Sequence, residues 1–210
     1  MRLSHSRIGF WNGTQFGAAC AWMVLLAAVL IVPRITSSST LGDDLTRHTV
    51  RLALAYYAIA ASLMLVLYPE EWLPWGRGRM ARLCWTLGWL AYLIHLAMAF
   101  HYYHRWSHTN AMEHTEEISG FGAGIYFSYA FTFFWSADVI VWWLWPTWYA
   151  ARPRWIDVLL HSFMAFIIFN GTVVYEQGLI RWAGVLLFAE LAVFAFYRWI
   201  RVEKAIMSAT

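Results

Sequence analysis

Six stretches of the chain run for about 17 to 20 residues with at most two charged side chains each, and this feature constrains the fold more than any other. A helix rises about 1.5 Å per residue and the hydrocarbon core of a bilayer is about 30 Å thick, so about 20 apolar residues cross it. The pattern predicts an all-α integral membrane protein, a bundle of six transmembrane helices in a single domain over 1–210. The predicted spans are 16–32, 50–67, 83–101, 125–144, 156–174 and 179–197.

The composition agrees with this class, because 61% of the residues are hydrophobic and only 13% are charged. Six spans in 210 residues leave no room for a separate soluble domain. The net charge is only +3, and the basic residues concentrate in the segments between spans. Such residues typically contact anionic lipid headgroups. We therefore expect membrane lipid as a partner and do not expect nucleic acid.

The first apolar run has two interpretations. Arg2 and Arg7 precede it, as they would in a cleaved signal peptide. However, Pro33 and Arg34 close the run, and no small-residue cleavage site adjoins it. An uncleaved first helix is the prediction, and a signal peptide, which would leave five spans, is the alternative.

The distribution of Lys and Arg predicts the orientation of the bundle. Cytoplasmic loops of membrane proteins carry an excess of these residues. When the connecting segments are assigned to alternating sides, one side keeps five of the fifteen: Arg34, Arg47, Arg51, Arg105 and Arg181. The other ten lie together with both termini, which predicts cytoplasmic termini and a multi-pass protein of the cell (inner) membrane. Those ten are Arg2, Arg7, Arg77, Arg79, Arg82, Arg152, Arg154, Arg198, Arg201 and Lys204.

Five of the eight histidines cluster where the third span runs out into a polar segment: His95, His101, His104, His108 and His114. If the third helix continues for two turns beyond the membrane, three of them stand at i, i+3 and i+7 on one face. His101, His104 and His108 then form a stripe, and His104 with His108 has the i, i+4 spacing of helical zinc sites.

This cluster predicts a transition-metal site of copper, iron or zinc at the outer membrane interface. His101, His104 and His108 are the first expected ligands. His48, His114 and Glu117 lie on the same predicted side and are expected to complete the coordination, with Glu113, Asp43, Asp44 and Glu176 as further donors. The alternative is that these imidazoles only lie at the interface and stack on Trp106 and Tyr103.

Haem b is the alternative cofactor. Di-haem cytochromes place histidines 13 or 14 residues apart on each of two helices. His95 and His108 have that spacing, but no pair lies on a second helix, because Val174 and Tyr175 stand 13 and 14 residues after His161. A single haem remains, with His95 or His101 as one axial ligand and another helix providing the second. Membrane di-iron enzymes fit less well, because they use adjacent His-His pairs and the chain has none.

Four polar residues fall inside the predicted spans, where an unpaired ionisable group costs about 3 kcal/mol or more. Asp138 and His161 lie at equal depth on consecutive helices, so we expect them to pair. Glu190, near the middle of the last span, is expected to be protonated, to meet a partner on another helix or to line a wet cavity, and so to handle protons. Asn170 is expected to pack between helices beneath the histidines.

These features predict a membrane metalloprotein, an oxidoreductase acting on a hydrophobic or small diffusible substrate that needs no soluble domain. No nucleophile triad, phosphate loop or paired-carboxylate motif identifies the reaction or a catalytic residue. The alternatives are a non-catalytic transmembrane subunit of a larger respiratory or photosynthetic complex and a b-type haem membrane protein. A proton-coupled transporter is disfavoured because the chain has no repeated halves.

Overall fold

The computed structural model describes residues 13–36, 40–72 and 78–207, without the side chains of 69, 70 and 201–207. These ranges are helical and contain no β-strand. Within these ranges, the eight α-helices are α1 (Gly13–Thr36), α2 (Leu41–Val66), α3 (Gly78–Ala99), α4 (His108–Ser119), α5 (Ile125–Leu144), α6 (Pro146–Ala151), α7 (Arg154–Phe169) and α8 (Gly178–Met207). The first twelve and last three residues, whose side of the membrane the charge distribution predicts, lie outside the described ranges.

Six of these helices are long and apolar enough to cross a membrane, as the sequence predicts for a multi-pass membrane protein. They are α1, α2, α3, α5, α7 and α8, and each coincides with one of the predicted spans. Short π-helical turns extend α3 (Phe100–His104) and α7 (Asn170–Val174), and 3-10 turns precede α3 (Pro69–Trp72) and α5 (Gly122–Gly124). The short helices α4 and α6 were not predicted.

Aromatic side chains form the centre of the bundle. Trp85 of α3 is fully buried, and its ring centroid lies 5.1 Å from that of Trp135 on α5 and 5.6 Å from that of Tyr57 on α2. Helices α2 and α3 form the most extensive pair, and α1 and α8 lie at the periphery. Among the residues of α8 whose burial is described, only Gly184 is buried. Helices α2, α3, α5 and α7 therefore surround the interior.

The third span reaches His104, but its helix does not continue to His108, and this corrects the expected histidine stripe. After the π-helical turn, Arg105 (φ 50°) and Trp106 (φ 60°) adopt left-handed backbone conformations. The hydroxyl of Ser107 then accepts a hydrogen bond from the backbone N–H of Asn110 and caps a new helix, α4. His101 and His104 therefore belong to one helical segment and His108 to another, so the three do not share a face.

Candidate functional site

A cavity of about 730 Å³ lies at the end of the bundle where α2 and α5 begin and α3 and α7 end. We call this the histidine end. Both π-helical turns contribute to the wall, and such turns are frequent at functional sites. The cavity runs from the exposed side chains of Arg47 and Glu176 to the buried Tyr57 and Trp135. We call it the histidine cavity, because its wall includes His95, His104 and His114.

His95 has a defined tautomer. Its Nδ1 lies 2.9 Å from the backbone carbonyl oxygen of Thr46 on α2. A carbonyl only accepts hydrogen bonds, so Nδ1 carries the hydrogen and Nε2 keeps the lone pair. Metal-binding histidines commonly donate their other ring N–H to a carbonyl or carboxylate in this way, which fixes the ring and makes it a better ligand.

His104 and His114 are neighbours in the same wall. Their ring centroids are 5.4 Å apart, and His104 is only 7% exposed. The Nδ1 atom of His104 is buried without a hydrogen-bond partner, which is rare for a buried polar atom. His114 stacks on Tyr103 with centroids 5.4 Å apart, and its Nδ1 lies 3.6 Å from a carboxylate oxygen of Glu117. The cavity wall therefore combines the oriented imidazole of His95 with the neighbouring imidazoles of His104 and His114.

The other histidines expected to bind metal lie elsewhere. His101 is exposed, with its ring edge against Tyr102. The ring nitrogens of His108 lie 2.9 Å from the hydroxyl of Tyr129 and 3.4 Å from that of Tyr126. His48 Nδ1 lies 3.4 Å from Nη1 of Arg51. In the part of the chain that the structure describes, no three His, Cys, Asp or Glu side chains converge to hold an ion.

The rest of the wall is mainly aliphatic and aromatic, with the polar Asn170 among it. Its Nδ2 donates to the carbonyl oxygen of Phe166 at 2.7 Å, one turn before the π-helical segment that Asn170 begins. Asn170 thus lines the same cavity as His95, His104 and His114. Arg47 and Arg51 also belong to the wall, at its rim, and the histidine pattern did not predict them as site residues. Their i, i+4 spacing on α2 was the sequence signal that could have found them. The arrangement suits an apolar ligand that an imidazole holds at one end.

At the opposite end of the bundle, Asp138 is buried but does not bond to His161. One carboxylate oxygen lies 2.6 Å from Nη1 of Arg152, and the other accepts hydrogen bonds from Trp85 Nε1 and the Tyr149 hydroxyl, both at 2.9 Å. The expected pair is therefore wrong, because three other donors already surround the acid. The His161 ring lies 5.4 Å from that of Trp85, and its Nε2 is buried without a hydrogen-bond partner.

The segment between α5 and α7 explains why Arg152 reaches Asp138. Helix α6 turns the chain back, and Arg152 at its end is buried, with Nη2 2.5 Å from a carboxylate oxygen of Asp157 on α7. Burial, followed by the nearby charge of Asp138, raises the pKa of Tyr149 well above its usual range of about 10. The Tyr149 phenol is thus a neutral donor, and the cluster is a structural clamp between helices.

Glu190 lies outside the cavity. It is exposed on α8 and accepts a hydrogen bond of 3.2 Å from the Ser62 hydroxyl on α2. A partner on another helix was one of the expectations for this residue, and Ser62 is that partner.

Comparison of the chain with protein-family models, with curated proteins and with solved structures finds no match.

Proposed function

We propose that this chain is a b-type haem membrane protein, in which the histidine cavity would hold the haem and His95 would bind its iron. The single observation that carries the proposal is the tautomer of His95, whose Nδ1–H is held by the Thr46 carbonyl within the wall of a large apolar cavity. The volume of about 730 Å³ lies within the range of about 300–1,000 Å³ that is common for ligand and cofactor pockets.

The residues of the chain have distinct roles in this proposal. Nε2 of His95 would bind the iron, and the hydrogen bond from Nδ1 to the Thr46 carbonyl orients the imidazole ring. The mainly apolar wall would surround the porphyrin, and His104 belongs to the same wall. Haem supplies one-electron chemistry or the binding of a small diffusible molecule. An oxidoreductase or an electron-carrying subunit of a membrane complex is the corresponding function.

A transition-metal ion without a porphyrin is the second candidate, supported by the 5.4 Å separation of the His104 and His114 rings and by Glu117 beside His114. Copper, iron or zinc would suit two imidazoles and a carboxylate. This candidate needs the Glu117 carboxylate to move, because no three such side chains converge within the described ranges.

The visible spectrum of protein purified in detergent tests the proposal, after expression with hemin and with metal analysis in parallel. We expect a Soret band and a stoichiometric content of iron. His95→Ala should lose the bound haem, whereas His108→Ala, a histidine outside the cavity wall, should retain it. Added imidazole should restore part of the spectrum of His95→Ala, because it replaces the missing ligand without refolding the helix.

Two results would separate the candidates. A colourless wild-type protein that carries stoichiometric copper, iron or zinc, and loses it on His104→Ala or His114→Ala, would favour the second candidate over haem. Protein with neither haem nor metal would refute both, and the non-catalytic subunit expected from the sequence would then be the remaining proposal.

A further inference from the structure

Two arginines lie at the rim of the histidine cavity. Arg47 and Arg51 lie one turn apart on α2, both are exposed, and both belong to the cavity wall. Within the described ranges, neither forms an ion pair with a carboxylate. The nearest polar contact of Arg51 is His48 Nδ1 on the same helix, at 3.4 Å. Two guanidinium groups are thus available at the mouth of an apolar cavity.

The carboxylates nearby are occupied by other groups or stand apart. Asp43 accepts a hydrogen bond from the Tyr103 hydroxyl, and Asp44 accepts one from Thr40 at 3.0 Å. Glu176 is the only carboxylate among the residues of the cavity wall, and it forms no ion pair with either arginine. Among the residues of the cavity wall, two guanidinium groups therefore stand against a single carboxylate.

Guanidinium groups bind carboxylates through paired hydrogen bonds, which strengthen as water is excluded. A ligand whose apolar body enters the cavity would place acidic groups beside Arg47 and Arg51 if it carries them at one edge. A neutral ligand such as a quinone has no group that uses two guanidiniums. The charge at the rim thus selects among apolar ligands for acidic ones.

We infer that Arg47 and Arg51 form a carboxylate-binding site at the rim of the histidine cavity and bind the propionate groups of haem. The inference rests on the proposed function for the identity of the ligand, because a long-chain fatty acid offers the same carboxylate. It assigns these residues no part in ligating iron. Their role is to fix the orientation of the ligand and to reject neutral competitors.

The test compares two forms of the same porphyrin. Hemin and hemin dimethyl ester differ only in whether the two carboxylates are free, so the ester removes the group that the arginines bind. Each is titrated into haem-free wild-type protein and into the Arg47→Gln, Arg51→Gln double variant in detergent. We expect the Kd for hemin to rise about tenfold to a hundredfold in the double variant and the Kd for the ester to stay unchanged.

The matched control is the Arg105→Gln, Arg181→Gln double variant, which removes two arginines of the same predicted side that do not line the cavity. It should bind hemin as the wild type does. A rise in Kd that is equal for hemin and the ester would overturn the inference, because it indicates a structural role. An unchanged Kd for hemin would overturn it as well.

A palmitate arm separates this inference from the proposed function. If the wild type binds neither porphyrin, haem binding fails, and the same proteins are titrated with palmitate and with its methyl ester. Binding of palmitate that weakens in the Arg47, Arg51 variant keeps the carboxylate site and assigns a fatty acid as its ligand. Absence of palmitate binding as well would reject the site.

Discussion

At the scale of single residues, the buried carboxylate of Asp138 contacts several polar groups. Three donors surround its carboxylate: Trp85 of α3, Tyr149 of α6 and Arg152, the residue after α6. Arg152 in turn contacts Asp157 on α7. A buried ion pair adds little net stability over a well-packed apolar pair, but removing one member is strongly destabilising because the other charge stays buried.

We expect Asp138→Ala to lower the free energy of unfolding by about 3–5 kcal/mol, because it leaves Arg152 with a single acidic partner and two donors unsatisfied. In a double-mutant cycle with Arg152→Met, the coupling should exceed about 1 kcal/mol. The coupling of Asp138→Ala with His161→Phe should be smaller. Denaturant unfolding in detergent measures both cycles. A larger coupling with His161 would restore the pair that the sequence predicted.

The same residues show how far sequence reasoning reached at this scale. The cost of a lone carboxylate inside an apolar span predicts that Asp138 has a partner, and it has one. Matching depths then selected His161, because the sequence places Arg152 in a loop with other surface arginines. Nothing in the local pattern indicated that α6 would turn the chain and bury that guanidinium. The partner depends on tertiary structure that a single sequence does not reveal.

At the scale of elements, the C-terminal ends of α3 and α7 determine which side chains line the cavity. Hydrophobic length predicted both spans, but not the π-helical turns that end them. Left-handed conformations at Arg105 and Trp106 are unfavourable for residues with a side chain, so propensity argues against the turn that separates His104 from His108. The histidine cluster was thus predictable as a region, and its geometry was not.

The contact between α8 and the π-helical turn of α7 is a testable part of this geometry. A Cβ atom on Gly184 would lie 2.8 Å from Oγ1 and 3.0 Å from Cβ of Thr172, which lines the cavity. We expect Gly184→Ala to destabilise the protein by about 1–3 kcal/mol, because overpacking displaces one of the two elements. Haem affinity should fall with it.

Gly17→Ala is the control, because a Cβ at that helical glycine meets nothing within 4 Å. Its thermal midpoint in detergent should equal that of the wild type or exceed it slightly. Equal midpoints for the Gly184 and Gly17 variants would show that α8 does not pack against the α7 turn in this way.

At the scale of the whole molecule, much of the outer surface is apolar. Phe133 on α5 and Leu186 on α8 are more than 60% exposed, at 67% and 69%. Exposed apolar area of this kind is expected where lipid surrounds a bundle, and it equally suits packing against partner subunits. Contact of this surface with lipid or with partner subunits therefore stays a prediction. The proton-handling role of the exposed Glu190 also stays a prediction.

Orientation can be measured directly. The uneven division of Lys and Arg predicts a cytoplasmic C-terminus. A fusion after Thr210 should therefore be active with a reporter that works in the cytoplasm and inactive with one that works only after export. A reporter inserted after Glu116, in α4, should be active only when exported, because the histidine end is predicted to face outward. Each site should be tested with one reporter of each kind. The reverse pair of results would place the histidine cavity on the cytoplasmic side.

The arrangement of Asp138 and Arg152 also has a consequence for how such a chain is made. Synthesis proceeds from the N-terminus, so the acid leaves the ribosome fourteen residues before the base that neutralises it. During that interval, α5 is a poorer membrane segment than its apolar length indicates. This helix becomes fully compatible with lipid only after α6 has brought the guanidinium of Arg152 back to the carboxylate of Asp138. We therefore expect helices α5 to α7 to enter a bilayer as one hairpin, whose two arms are integrated together.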